Sequence, residues 1–157
     1  MNGGEGAPSR YLMAAMNRGA KPAQIIVPIR EEPDVFVARR RARELALEEG
    51  FRESGAGAIA TAVSEVARNI LLHAGAGEIL LEVTKERGRR GVIVMARDED
   101  PGIPDVEAAM RDGYSTGSGL GLGLSVARRL MDEFQIVSGV GEGTTVTMKK
   151  WVHEPHR

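Results

Sequence analysis

The sequence predicts an α+β sandwich of two layers, a mixed sheet covered on one face by helices. Three observations predict it. The 157 residues are 42% apolar and 27% charged, and a single domain of this size buries roughly 68–70% of its unfolded surface. Apolar residues recur at helical spacing in three segments and at strand spacing in others. The helical segments stand beside hairpins instead of alternating strictly with strands, which disfavours a doubly wound parallel sheet.

Taken in order, residues 1–22 hold four Gly and two Pro without periodicity and read as a flexible leader. The domain is expected over 23–152, with 153–157 as a tail. Residues 23–29 form a first strand, and Pro28 confines it to an edge, or to its own end. Asp34 caps a helix running to about Glu49, with Val35, Ala38, Ala42, Leu45 and Ala46 on one face and Gly50 as its stop. Its other face carries Arg39, Arg40, Arg41 and Arg43, either a solvated face or a docking surface for an acidic or phosphorylated partner. Gly55 and Gly57 mark a loop before a second helix over 58–73, whose buried stripe is Ile59, Ala62, Val63, Val66 and Ile70. Strands follow at 78–86 and 92–97, joined by the charged turn 87–90. A short helix at 105–111 leads into a glycine stretch over 113–123. A third helix over 122–134 and a hairpin of 135–138 with 144–150 close the domain.

Composition excludes several functions. The absence of cysteine removes disulfides, a cysteine nucleophile and thiolate-held metals. The apolar run from Val92 to Ala96 is five residues, far short of the ~20 a membrane helix requires. The patch from Leu12 to Met16 is too short for a secretory signal. These features point to a cytoplasmic protein without a membrane partner. Basic and acidic residues number 21 and 22, a net charge of −1, which argues against nucleic acid as a partner. Glycine stands out, at 20 of 157 residues against a usual share of ~7%.

From 117 to 123 a glycine occupies every second position: Gly117-Ser118-Gly119-Leu120-Gly121-Leu122-Gly123. Without Cβ atoms such a backbone turns its N–H groups toward one point and lets a ligand approach closely. It runs into a helix N-terminus, where free N–H groups and the macrodipole favour an anion. Phosphate is the natural ligand. No lysine lies between Lys85 and Lys149, so this is not a Walker loop. Nor does it follow an apolar strand with G-x-G-x-x-G spacing, as a dinucleotide fingerprint must.

On the second helix Glu65, Asn69 and His73 form one column offset from the buried stripe. A carboxylate and an amide oxygen one turn apart suit a hard divalent cation such as Mg²⁺, or a cation beside a base that takes a proton from a hydroxyl. The second hairpin strand ends in Asp98-Glu99-Asp100-Pro101-Gly102-Ile103. An Asp at a strand end can accept a hydrogen bond from an exocyclic amine and so read adenine.

In this order the segments resemble the GHKL (Bergerat-fold) ATPases over about residues 23–150. The N box looks like Ser64-Glu65-Val66-Ala67-Arg68-Asn69-Ile70, the first Gly box like 98–103, the second is 117–124, and the last is Gly143-Thr144-Thr145-Val146. Within that family, Ser-Glu-Val-Ala-Arg-Asn, Asp112-Gly-Tyr-Ser115-Thr116-Gly117 and Arg129-Leu-Met-Asp-Glu-Phe134 are similar to the RsbT-type switch serine/threonine kinases of the bacterial stressosome. The resemblance implies phosphorylation, from ATP with Mg²⁺, of a Ser or Thr on a STAS-domain antagonist or scaffold, and activation of a PP2C-type phosphatase. It implies Glu65 as general base, Asn69 as Mg²⁺ ligand and Asp98 as adenine reader. Arg68 becomes a phosphate contact, and Thr145 supports the adenine through Asp98 or a water. Gly102, Ile103 and 115–123 line the nucleotide. One position departs from the pattern: Asp100 stands where the family's first Gly box has glycine. That leaves a binding-only switch and an anti-sigma-factor kinase as alternatives.

Overall fold

The computed structural model describes residues 24–98, 120–139 and 143–153, and of 120–122 the backbone alone. The order is β1 (Gln24–Ile29), α1 (Glu32–Glu48), α2 (Glu53–His73), β2 (Gly77–Glu86), β3 (Arg89–Asp98), α3 (Leu120–Leu130), β4 (Glu133–Gly139) and β5 (Gly143–Trp151). The strands lie side by side as β1-β2-β3-β5-β4.

The α+β sandwich is as expected, but every strand pairing is antiparallel, where a mixed sheet was expected. The connections explain this. Two helices between β1 and β2 return the chain to the end it left, so β2 runs back along β1. One helix between β3 and β4 makes those two strands parallel in direction, but β5 inserts between them and opposes both. Among the described residues β1 is an edge strand paired with β2 alone, the first of the two places open to Pro28.

The helices cover one face. Val35, Ala38, Ala42 and Ala46 of α1 and Ile59, Ala62, Val63, Val66 and Ile70 of α2 are buried against Val27, Ile29, Ile79, Leu81, Val92, Val94 and Met148. Each buried Val, Leu or Ile contributes roughly 1.5–3 kcal/mol, so the two stripes anchor the helix layer. Leu45 is only half-buried.

Three boundaries differ from expectation. α1 starts two residues before Asp34, with Glu31 as N-cap. The Asp34 carboxylate accepts the Arg30 and Glu31 N–H groups at 2.8 and 3.0 Å, so it caps from inside the first turn. α2 starts at Glu53 and runs through Gly55 and Gly57. A Cβ on Gly55 would sit 3.0 Å from the Phe51 ring, so packing of Phe51 against a bare helix turn overrides glycine's poor propensity. α3 ends at Leu130, and Phe134 belongs to β4. The Asp132 N–H bonds the Lys149 carbonyl at 2.9 Å and its carboxylate accepts the Trp151 N–H at 2.8 Å, which draws the chain off the helix onto β5. The expected short helix at 105–111, the stretch 113–119, the leader and residues 154–157 of the tail lie outside the described residues.

Candidate functional site

α2 is the central helix of the layer, packed on α1 along one side and on α3 along the other. Its column Glu65, Asn69 and His73 is half-buried and follows the side of the helix away from the deepest core. Arg68, one turn on, places Nη1 3.8 Å from Glu65 Oε2, a partly exposed ion pair.

The glycine stretch meets this column. A Cβ built on Gly123 would lie 3.1 Å from Glu65 Oε1, so the first turn of α3 rests directly against that carboxylate. Any side chain at 123 would have to push Glu65 aside. The turn is also where the first N–H groups of α3 lack partners within their own helix and carry the positive end of its dipole. A proton acceptor and an anion-binding helix end therefore share one place. Leu120, Gly121 and Leu122 contribute backbone to that turn. Gly102, Ile103 and Ser115 to Gly119 fall outside the described residues.

The far end of the column reaches Asp98. Alternation along β3 puts Asp98 on the same face as Val92, Val94 and Ala96, toward the helices. Its Oδ1 accepts the Thr144 N–H at 3.3 Å, and the Thr144 and Ser138 hydroxyls are 2.9 Å apart. Thr145, which the sequence pointed to, is not the residue that meets Asp98. It stands opposite Arg97 in the β3–β5 register, and alternation turns it to the other face. Thr144 takes that position, and the parity of a hairpin register was the signal that could have found it. His73, the last residue of α2, has its pKa lowered because burial disfavours the imidazolium, and the Asp98 charge opposes the shift.

Two further contacts were not legible beforehand. Ser64, next to Glu65, is buried, donates to the Ala60 carbonyl at 3.0 Å and accepts a long 3.5 Å bond from Arg39. The arginine face of α1 is partly absorbed locally: Arg40 lies 4.0 Å from Glu44, and Arg43 pairs with Glu53. Among the described residues no three His, Cys, Asp or Glu side chains converge as a metal site.

An acidic residue and an amide share one side of the central helix, the first turn of α3 lies against the acidic one, and an Asp at the end of β3 lies near the helix's last residue. Residues 28–150 match the histidine kinase-like ATPase domain. The chain belongs to that family. Among its relatives, the serine/threonine-protein kinase RsbT of Bacillus subtilis (strain 168) is 46% identical over 129 residues, covering 82% of this chain and 97% of the relative. The anti-sigma F factor of Geobacillus kaustophilus (strain HTA426) is 36% identical over 101 residues, covering 60% and 68%. Two solved structures share the family fold. The RsbU and RsbW domains of Rv1364c from Mycobacterium tuberculosis match at a TM-score of 0.58 and 23% identity, over 88% of this chain and 35% of that one. The SiaB–SiaC complex from Pseudomonas aeruginosa matches at 0.54 and 15%, over 94% and 100%.

Proposed function

We propose that this chain is an ATP-dependent protein serine/threonine kinase acting as a cytoplasmic partner switch. It phosphorylates a Ser or Thr of a STAS-domain scaffold or antagonist and, once released, engages a PP2C-type phosphatase. The observation that carries the reading is the contact between Gly123 and Glu65, which brings an anion-binding helix end within reach of a proton acceptor. The RsbT relative, similar over nearly its whole length, supports the same reaction class.

In this reading Asp98 accepts the adenine amine, braced by the Thr144 N–H. The α3 N-terminus and its glycines receive the phosphates through backbone N–H groups. Asn69 offers an amide oxygen, a hard donor, and a Mg²⁺ ion that keeps phosphates and waters as its other ligands needs little more from the protein. Such an ion would neutralise charge on the transferring group. Arg68 holds the Glu65 carboxylate and stands ready for a phosphate oxygen. Glu65 takes the proton of the substrate hydroxyl as its oxygen bonds the γ-phosphorus and the bond to ADP breaks. Positioning and charge do most of the work.

The test is transfer of label from γ-labelled ATP to a purified STAS-domain protein of the same host, with the label recovered as phosphoserine or phosphothreonine. A chain that binds ATP and its partner but transfers nothing is the binding-only switch, the reading that Asp100 favours. Capture of a sigma factor would instead favour the anti-sigma alternative, supported by relatives of lower identity and shorter coverage.

A further inference from the structure

The two edges of the sheet are finished differently. Hydrogen bonds fix which backbone groups face which neighbour. The Thr144 N–H points to Asp98 on β3 at 3.3 Å, while the Trp151 N–H and the Lys149 carbonyl both meet Asp132, on the β4 side. Odd-numbered residues of β5 therefore face β4, and their partners Glu133, Gln135 and Val137 face back. Phe134 and Ile136 lie between these and turn their N–H and C=O groups out of the sheet. Among the described residues nothing bonds those groups.

Carried through the registers, the same alternation turns Gln24, Ile26 and Pro28 of β1 outward at the opposite edge. Pro28 has no N–H to offer, so β1 is blunted where a further strand would add. β4 carries no Pro, Lys or Arg. Its one charge, Glu133, is held within its own sheet by Trp151 Nε1 at 2.9 Å and Lys149 Nζ at 3.9 Å. β4 is the edge open to strand addition.

The side chains of β4 match a second β4. In an antiparallel pairing centred on Gln135, Phe134 of each copy stands opposite Ile136 of the other, and their outward backbone groups exchange N–H···O bonds in both directions. On the helix face these half-buried side chains then cover each other, aromatic against β-branched, a favourable cross-strand pair. On the other face Gln135 meets Gln135, and Glu133 meets Val137, which is 60% exposed in one chain. No like charges are opposed, and a net charge of −1 per chain sets little repulsion between copies.

We propose that two copies of this chain join edge to edge through β4, paired antiparallel about Gln135, into one continuous sheet. Both helix layers then lie on the same side of that sheet. The Asp98 end of each copy sits beside the Trp151 end of the other.

Sedimentation velocity on the full chain should show a concentration-dependent dimer. Gln135→Lys, at an exposed position, opposes like charges on the axis and should weaken that dimer at least ~10-fold at an unchanged far-ultraviolet dichroism spectrum. The chain has no cysteine, so single thiols read the register. Gln135→Cys lies about 4.5 Å from its copy between Cα atoms, within disulfide reach. Val137→Cys lies roughly 13 Å along the strand from its copy, beyond that reach. Under mild oxidation the first should form disulfide dimers at least ~10-fold faster than the second. A chain that is monomeric throughout overturns the proposal and leaves the edge to a strand of another protein. A dimer indifferent to Gln135→Lys, or equal disulfide rates at the two positions, overturns it in favour of another surface.

Discussion

The two ends of the sheet are built differently. At the end holding Arg89 and Trp151, polar groups are tied together across four elements. Trp151 donates to Asp132 and Glu133, Lys150 Nζ to the Leu130 carbonyl at 2.8 Å, Val152 N–H to the Arg90 carbonyl at 2.8 Å, and Arg90 Nη1 to the Glu49 carbonyl behind α1 at 2.7 Å. At the other end the short bonds, Arg97 to Glu78 at 2.6 Å and Ser138 to Thr144 at 2.9 Å, stay between strands, whereas Glu65 has a 3.8 Å ion pair and Asp98 a 3.3 Å backbone bond. Short bonds among fixed partners hold a fold. A long, partly exposed pair such as that of Glu65 leaves acceptor capacity for a ligand, at little cost while water can reach it. The first end is structural and the second is poised.

The largest effect that would break this comparison is at Glu65. Glu65→Gln keeps the shape and removes the proton acceptor, so phosphotransfer should fall at least ~10²-fold while ATP binding persists. Isothermal titration beside a label-transfer assay measures both, and full activity would return Glu65 to a surface role. Next is Asp98→Asn, which presents a donor to the adenine amine where an acceptor is needed. ATP affinity should drop by about 1–3 kcal/mol, and the preference for ATP over GTP should shrink. Equal affinities for wild type and variant would remove Asp98 from the site.

The tied end should respond in the opposite currency. Asp132→Ala leaves the Trp151 N–H without its carboxylate and should cost about 1–3 kcal/mol of stability. Thermal or urea unfolding checks this, and nucleotide affinity, measured below the transition, should stay as it was. Gly123→Ala tests stability and rate at once on one residue of the poised end. Alanine favours a helix interior by up to about 1 kcal/mol, so the melting point should rise. Its Cβ would crowd Glu65 Oε1 from 3.1 Å, so transfer should slow several-fold. A variant that gains stability without losing rate would separate Glu65 from the first turn of α3.

Much of this was legible in the chain because it is written locally. The stripes of α1 and α2 and the Glu65–Asn69 column follow from spacing, and the edge position of β1 from Pro28, and the structure keeps them. What was not legible depends on contacts distant in sequence. The end of α3 is decided by Asp132 meeting β5, because the period of Ala127, Leu130, Met131 and Phe134 fits a longer helix equally well. The start of α2 is decided by Phe51 lying on Gly55. Thr144 rather than Thr145 faces Asp98 because hairpin register, which no single strand carries, sets which side each residue takes. The contact of Gly123 with Glu65 was implied only by the family order of the boxes.

The smallest expected effect sharpens the comparison at the poised end. Burial lowers the His73 pKa below its ordinary 6.5, against the pull of the Asp98 charge. Above that value the imidazole is neutral in folded and unfolded chains alike and adds no pH dependence. As pH falls through 6.5 toward the folded value, the unfolded chain takes up a proton that the folded one resists. Stability should therefore decline with falling pH in that window and level off below it. His73→Gln removes the titration, so its unfolding free energy should be flatter than wild type between pH 6.5 and the lower plateau. Urea melts at closely spaced pH values, compared between the two proteins, read this directly. A steeper loss in the variant would mean that the imidazolium is held by Asp98 more strongly than burial opposes it. The column would then end in an ion pair, and the poised end would be tied as firmly as the other.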